Sequence, residues 1–308
     1  MRDAFVKTLL GIAKNNRNVV LVTGDLGFGV LKPFWDELPE QIINVGIAEQ
    51  NMTSLAAGMA LEGKTIFTYS IGNFPTLRCI EQIRNDCAYH NANVKIVSIG
   101  GGFEYGPLGM SHHATEDIAM LRALPGLLVV CPGDLVEAEK VTKAIATYEG
   151  TCYLRLGRGR EKKIHDKIDD FALGKAIKVR NCKNKKKRVA IFSTGAILDA
   201  TTEACNQLEM EGFGVEQYSF HTVKPIDVAV IEDCAHRFDY IFTVEEHNIV
   251  AGFGSAVAEV LSEQGTGTKL IRIGLNDTYS SIVGSQAFLR DYYGMSARKI
   301  VERVKSNS

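Results

Sequence analysis

The stretch Asn44-Val-Gly-Ile-Ala-Glu-Gln-Asn-Met52 leaves a short apolar strand and enters a helical pattern, with Ile47, Leu55 and Met59 spaced for one helix face. The same change of period repeats on both sides. Asn18–Thr23 upstream, and Lys64–Tyr69, Val94–Ile99, Leu127–Cys131 and Cys152–Leu156 downstream, are short apolar runs. Helical spacing returns across Leu77, Ile80 and Ile83 and through Leu135–Tyr148. Apolar runs without polar alternation are strands buried on both faces and joined by helical crossovers. The rhythm therefore predicts a doubly wound α/β layer with a mostly parallel sheet over residues 1–160.

Beyond it, Arg155-Leu-Gly-Arg-Gly-Arg-Glu-Lys-Lys163 opens a polar stretch that closes with Asn181-Cys-Lys-Asn-Lys-Lys-Lys-Arg188, and residues 161–187 read as a linker. The basic run 183–188 is expected to be a solvated loop or hairpin turn. Val189–Ser193, Gly214–Tyr218, Tyr240–Val244 and Lys269–Ile273 then restart the rhythm, which predicts a second, smaller doubly wound domain over 188–308.

A length of 308 residues suits two domains with real cores. Thirty-five basic against 36 acidic residues leave a net charge of −1, without the basic surplus that nonspecific nucleic-acid binding requires. Seven cysteines with no C-x-x-C pair argue against a disulfide framework and a zinc site, so reduced thiols in the cytoplasm are expected. Met-Arg-Asp-Ala-Phe-Val-Lys at the start has the wrong character for a signal peptide. No apolar stretch approaches the ~18 residues of a membrane span.

Common nucleotide loops are missing. There is no G-x-x-x-x-G-K-[ST], and Gly24-Asp-Leu-Gly-Phe-Gly29 is not a G-x-G-x-x-G opening a helix. Gly100-Gly-Gly102 is either a backbone that approaches a ligand or a tight loop. Glu49, taken alone, is an acidic residue opposing the helix dipole.

In context, Gly46-Ile47-Ala48-Glu49 resembles the thiamine diphosphate signature of the transketolase family. Other blocks follow in the family's order over essentially the whole chain: Gly24-Asp25-Leu26, Arg78-Cys-Ile-Glu-Gln-Ile-Arg-Asn85, Ser111-His112-His113, Glu116-Asp-Ile-Ala119, Leu121-Arg-Ala-Leu-Pro-Gly126 and Glu245-Glu-His-Asn248. The resemblance implies a pyrimidine-binding domain followed by a transketolase C-terminal-like domain. The family's Gly-Asp-Gly motif, which holds the diphosphate and a divalent metal such as Mg2+, occurs nowhere here. A second subunit of a split enzyme is implied, working with an N-terminal, diphosphate-binding transketolase-like partner in an α2β2 assembly.

The same resemblance assigns roles. Glu49 would meet N1′ of the aminopyrimidine and share a proton with it, which calls for an apolar, partly dehydrated place. Ile47 would wedge the cofactor rings into a bent shape, Phe74 would stack on the pyrimidine, and Asp25 and Leu26 would approach the cofactor. Ile71 stands where many relatives have a further aromatic. His112 would serve the substrate's carbonyl oxygen. Arg158, and similarly Arg2, would bind a sugar phosphate. His113 replaces a usual Gln and is given no role.

Two departures concern the substrate. Gly100 replaces a histidine before the glycine loop, and Leu108 in Tyr105-Gly-Pro-Leu-Gly109 replaces an aspartate that reads a donor hydroxyl. The expected activity is transfer of a two-carbon ketol unit from a sugar to an aldehyde. Alternatives are a beta subunit that decarboxylates a 2-oxo acid, whose apolar group Leu108 would accept, and a noncatalytic regulatory partner subunit.

Overall fold

The computed structural model describes residues 1–159, 161–183 and 187–308. Within the first half lie β1 (Val19–Thr23), β2 (Ile42–Asn44), β3 (Thr65–Ile71), β4 (Val94–Ile99), β5 (Leu128–Val130) and β6 (Cys152–Leu156). They are followed by β7 (Ile177–Arg180), β8 (Lys187–Thr194), β9 (Phe213–Ser219), β10 (Thr222–Lys224), β11 (Tyr240–Asn248) and β12 (Lys269–Leu275). One sheet has the order β10-β5-β6-β4-β3-β1-β2 and the other β12-β11-β8-β9-β7. All pairings are parallel except those of β10 with β5 and β7 with β9. Strands β1, β4 and β6 are buried at every position, which is why each reads as mostly apolar, with Lys95, Ser98 and Arg155 as the interruptions in β4 and β6.

Two strands depart from the sequence reading. β7 lies inside the segment 161–187 read as linker, as an antiparallel edge strand along β9. A partly exposed edge strand needs no apolar run, and so it looked polar. The same segment is laced to the first half: Asp134, which caps the helix Leu135–Thr147 by accepting from Val136 and Glu137, also accepts from the backbone N–H groups of Ile164 and His165. β10 comes from the second half but extends the first sheet, with Thr222 opposite Val130 and Lys224 opposite Val129. Three residues are too few to show a period. Of the basic run, residues 184–186 lie outside the described residues, while Lys187 and Arg188 open β8 with exposed side chains.

One apolar cluster runs through both halves, from Val20, Met52 and Ile96 to Phe192, Phe220 and Phe253. The block Glu245–Asn248 grips the first half. Glu246 accepts from the Phe103 N–H at 2.8 Å and from Arg290 at 2.6 Å, and the Asn248 N–H donates to the Thr115 carbonyl at 2.8 Å. β1 is flanked by β2 and β3, so the chain leaves β1 to one side and returns on the other. Such a reversal opens a crevice at the carboxyl ends of the strands, where parallel sheets bind ligands.

Candidate functional site

Glu49 begins the helix Glu49–Leu61 beside the end of β1, and its side chain is 2% exposed. A side-chain amide fixes the approach to it. Asn44 Oδ1 accepts from the N–H groups of Asp25 (2.9 Å) and Gly46 (3.0 Å), while Asn44 Nδ2 donates to Asp25 Oδ1 (3.0 Å). Asp25 has φ 56°, a left-handed conformation that Asp tolerates. Its carboxylate thus shapes the turn after β1, with Leu26 half-buried behind it and Ile47 78% exposed at the rim.

The apolar setting expected for Glu49 is only partly found. Arg78 Nη1 donates to Glu49 Oε2 at 2.7 Å, and Oε1 has no hydrogen bond among the described residues. The Arg78 guanidinium lies over the Phe74 ring, 5.1 Å from its centroid. Phe74 in turn meets His112 edge-on at 5.1 Å. Glu49, Phe74 and His112, which lie up to 63 positions apart in the chain, are brought into one continuous patch by the ends of β1 and β3.

The glycine run resolves as close packing. A Cβ on Gly100 would collide with the Tyr105 ring, one on Gly101 with the Arg155 guanidinium, and one on Gly102 would lie 2.6 Å from Glu246 Cγ. Tyr105 therefore fills the side from which a residue at position 100 would project. Its ring sits 6.2 Å from that of His112 and carries the Arg158 guanidinium 4.7 Å away. Beside it Arg2, Glu104, Pro107, Arg158, Ser285 and Gln286 line a cleft of about 400 Å³. Burial, helped by Glu246, pushes the Glu104 carboxyl up to about 7, so the cleft becomes more positive as pH falls through neutrality. Leu108 is 55% exposed on the neighbouring turn. His113 is buried, donates through Nε2 to the Gly106 carbonyl and packs on Phe103, which makes it a packing residue.

Sequence reasoning gave no role to Asn44, Arg78, Tyr105 or Glu104. Arg78 stood in a quoted block, but its contact with Glu49 depends on tertiary convergence. Among the described residues one trio, Glu216, Asp233 and Cys234, places three metal-ligand atoms within 4.8 Å of one another. Arg237 occupies it, donating to both carboxylates.

Residues 1–162 match the family model of the transketolase pyrimidine binding domain, and residues 178–300 that of the transketolase C-terminal domain. The chain belongs to the transketolase family. A putative transketolase C-terminal section from Methanocaldococcus jannaschii is 36% identical over 307 residues, covering 99% of this chain and 95% of that protein. One of the subunits of apulose-4-phosphate transketolase from Phocaeicola vulgatus is 35% identical, over 88% of this chain and 86% of its own. A solved structure described as a split gene transketolase, inactive beta4 tetramer, superposes with a TM-score of 0.87 at 32% identity, covering 99% of this chain and 96% of that one. Transketolase-family membership implies use of thiamine diphosphate, and the residues present fit its aminopyrimidine. Glu49 offers a buried carboxylate with one oxygen free of donors among the described residues, and Phe74 offers a ring face over which a flat cation lies. Among the described residues no helix is long and apolar enough to cross a membrane.

Proposed function

We propose that this chain is the second subunit of a thiamine diphosphate-dependent transketolase-like transferase, moving a two-carbon ketol unit to an aldehyde acceptor in the cytoplasm. The observation that carries the reading is the convergence of Glu49, Phe74 and His112 at the crevice beside β1 and β3. When bound, the cofactor supplies a carbon nucleophile that attacks carbonyls. Glu49 shares a proton at N1′, Phe74 supports the aminopyrimidine and Ile47 holds the rings bent, with Asp25 and Leu26 at the edge of the cofactor. His112 donates to, or takes a proton from, the substrate's carbonyl oxygen. Arg158 and Arg2 bind a phosphate in the adjoining cleft, with Gly100 and Leu108 on the donor side.

The diphosphate and Mg2+ are assigned to a partner chain bearing Gly-Asp-Gly, because this sequence has none. The exposure of Ile47 fits a site with half its walls elsewhere. Co-expression with that partner is expected to give an α2β2 assembly with activity, while the isolated chain with cofactor and magnesium turns over no substrate. The solved relative titled an inactive beta4 tetramer supports this expectation. Robust turnover by the isolated chain would refute it.

The donor is a second prediction. Leu108 and Gly100 remove two polar groups that other family members aim at the donor, and a substrate hydroxyl left dehydrated without a partner costs about 1–3 kcal/mol. Xylulose 5-phosphate is therefore expected to be a poor donor, outcompeted by a deoxy, amino or branched sugar or a short 2-oxo acid. The exposed aliphatic side chain of Leu108 is what keeps the 2-oxo acid in this set. Leu108→Asp should raise kcat/KM for xylulose 5-phosphate roughly 5–150-fold, the same energy expressed as a ratio. Steady-state kinetics on a donor panel measures both effects, and a wild-type preference for xylulose 5-phosphate would contradict them.

A further inference from the structure

Arg78 makes, from within the chain, both contacts that the aminopyrimidine is assigned. Its guanidinium is flat, lies over Phe74 with its carbon 5.1 Å from the ring centroid and donates an N–H to Glu49 Oε2 at 2.7 Å. A guanidinium and an aminopyrimidine share a planar face for an aromatic ring, and each meets Glu49 through one proton: the guanidinium gives an N–H to the carboxylate, whereas N1′ takes its proton from the carboxyl. We propose that Arg78 is an internal placeholder, which fills the aminopyrimidine seat in the cofactor-free chain and leaves the Phe74 face when the heterocycle binds. The inference rests on the assignment of Glu49 and Phe74 to the cofactor.

The ion pair alone would not require this movement, because Glu49 Oε1 is without a donor among the described residues. The place over Phe74 does require it, since a heterocycle set on the same ring face claims the space that the guanidinium fills. The exit is open: the Arg78 side chain is 48% exposed while that of Glu49 is 2% exposed, so the cation closes the pocket from its mouth. In its absence the buried Glu49 Oε2 would have no hydrogen-bond donor among the described residues. The placeholder thus satisfies a buried carboxylate until a ligand does so.

Calorimetric titration of thiamine diphosphate with Mg2+ into the full chain co-assembled with its partner tests the idea. Arg78→Ala is expected to tighten the dissociation constant about 3–30-fold, because the fraction of chains with an open seat rises. Arg78→Lys, which keeps the charge but not the flat face, should fall between Arg78→Ala and wild type. Thermal melts that match wild type establish that both variants fold. Unchanged or weaker binding in Arg78→Ala would overturn the proposal and make Arg78 a fixed support for Glu49. Failure of the wild-type assembly to bind thiamine diphosphate would overturn the cofactor assignment, and the placeholder with it.

Discussion

Glu49→Gln in the assembled enzyme is expected to slow exchange of the C2 proton of bound thiamine diphosphate by about 10²–10⁴-fold, the usual worth of a positioned acid–base group. Cofactor affinity should move by much less. Glutamine keeps the size of Glu49 and a hydrogen-bonding end beside N1′, so the helix start and the packing behind it survive, but it cannot trade a proton. Hydrogen–deuterium exchange at C2 followed by NMR separates this loss from a loss of binding. Exchange in the variant at the wild-type rate would remove Glu49 from the mechanism.

The largest loss of stability is expected from Arg155→Met. Arg155 is 4% exposed and donates through Nε to Asp117 Oδ2 at 2.7 Å and through Nη2 to the carbonyls of Ala114 (2.8 Å) and Glu246 (3.0 Å). Asp117 is 1% exposed and also accepts from the Tyr153 hydroxyl. Burial raises the Asp117 pKa, but Arg155 and His247 outweigh it and hold the carboxyl below its ordinary value. Removing the guanidinium leaves the buried Asp117 carboxylate with only the Tyr153 hydroxyl as donor among the described residues and takes one donor from each carbonyl, of which that of Ala114 keeps the Gly102 N–H, at a cost of about 3–5 kcal/mol. A urea or thermal unfolding series measures it. Asp117→Asn added to Arg155→Met should recover part of the loss, because the stranded charge is gone. A loss below about 1 kcal/mol, the value of an exposed pair, would contradict this account. The sign with pH also follows: the pair's contribution is present above the unfolded Asp pKa and is lost as pH falls through the lower folded value.

The sheets were legible because burial on both faces writes itself into sequence: β1, β4 and β6 lie almost where their apolar runs lie. The roles proposed for Glu49, Phe74 and His112 come from family blocks, since composition and period give none. What escaped depended on partners far apart in the chain. Tyr105 matters because residue 100 has no side chain, and Asn44 because Asp25 and Gly46 both offer it N–H groups. β7 and β10 escaped because an edge strand and a three-residue bridge carry little burial pattern of their own.

β10 also has a meaning for synthesis on the ribosome. Once β6 joins it to the first sheet, and until Thr222–Lys224 emerges, β5 is the outermost strand, fully buried in the finished chain but without a neighbour on that side during growth. An unprotected edge of this kind is a template for pairing with other chains. The roughly seventy residues between Leu156 and Lys224 take on the order of 3–14 s to translate. During that interval the nascent first half carries an adhesive margin, and the later half of the same polypeptide acts as its chaperone.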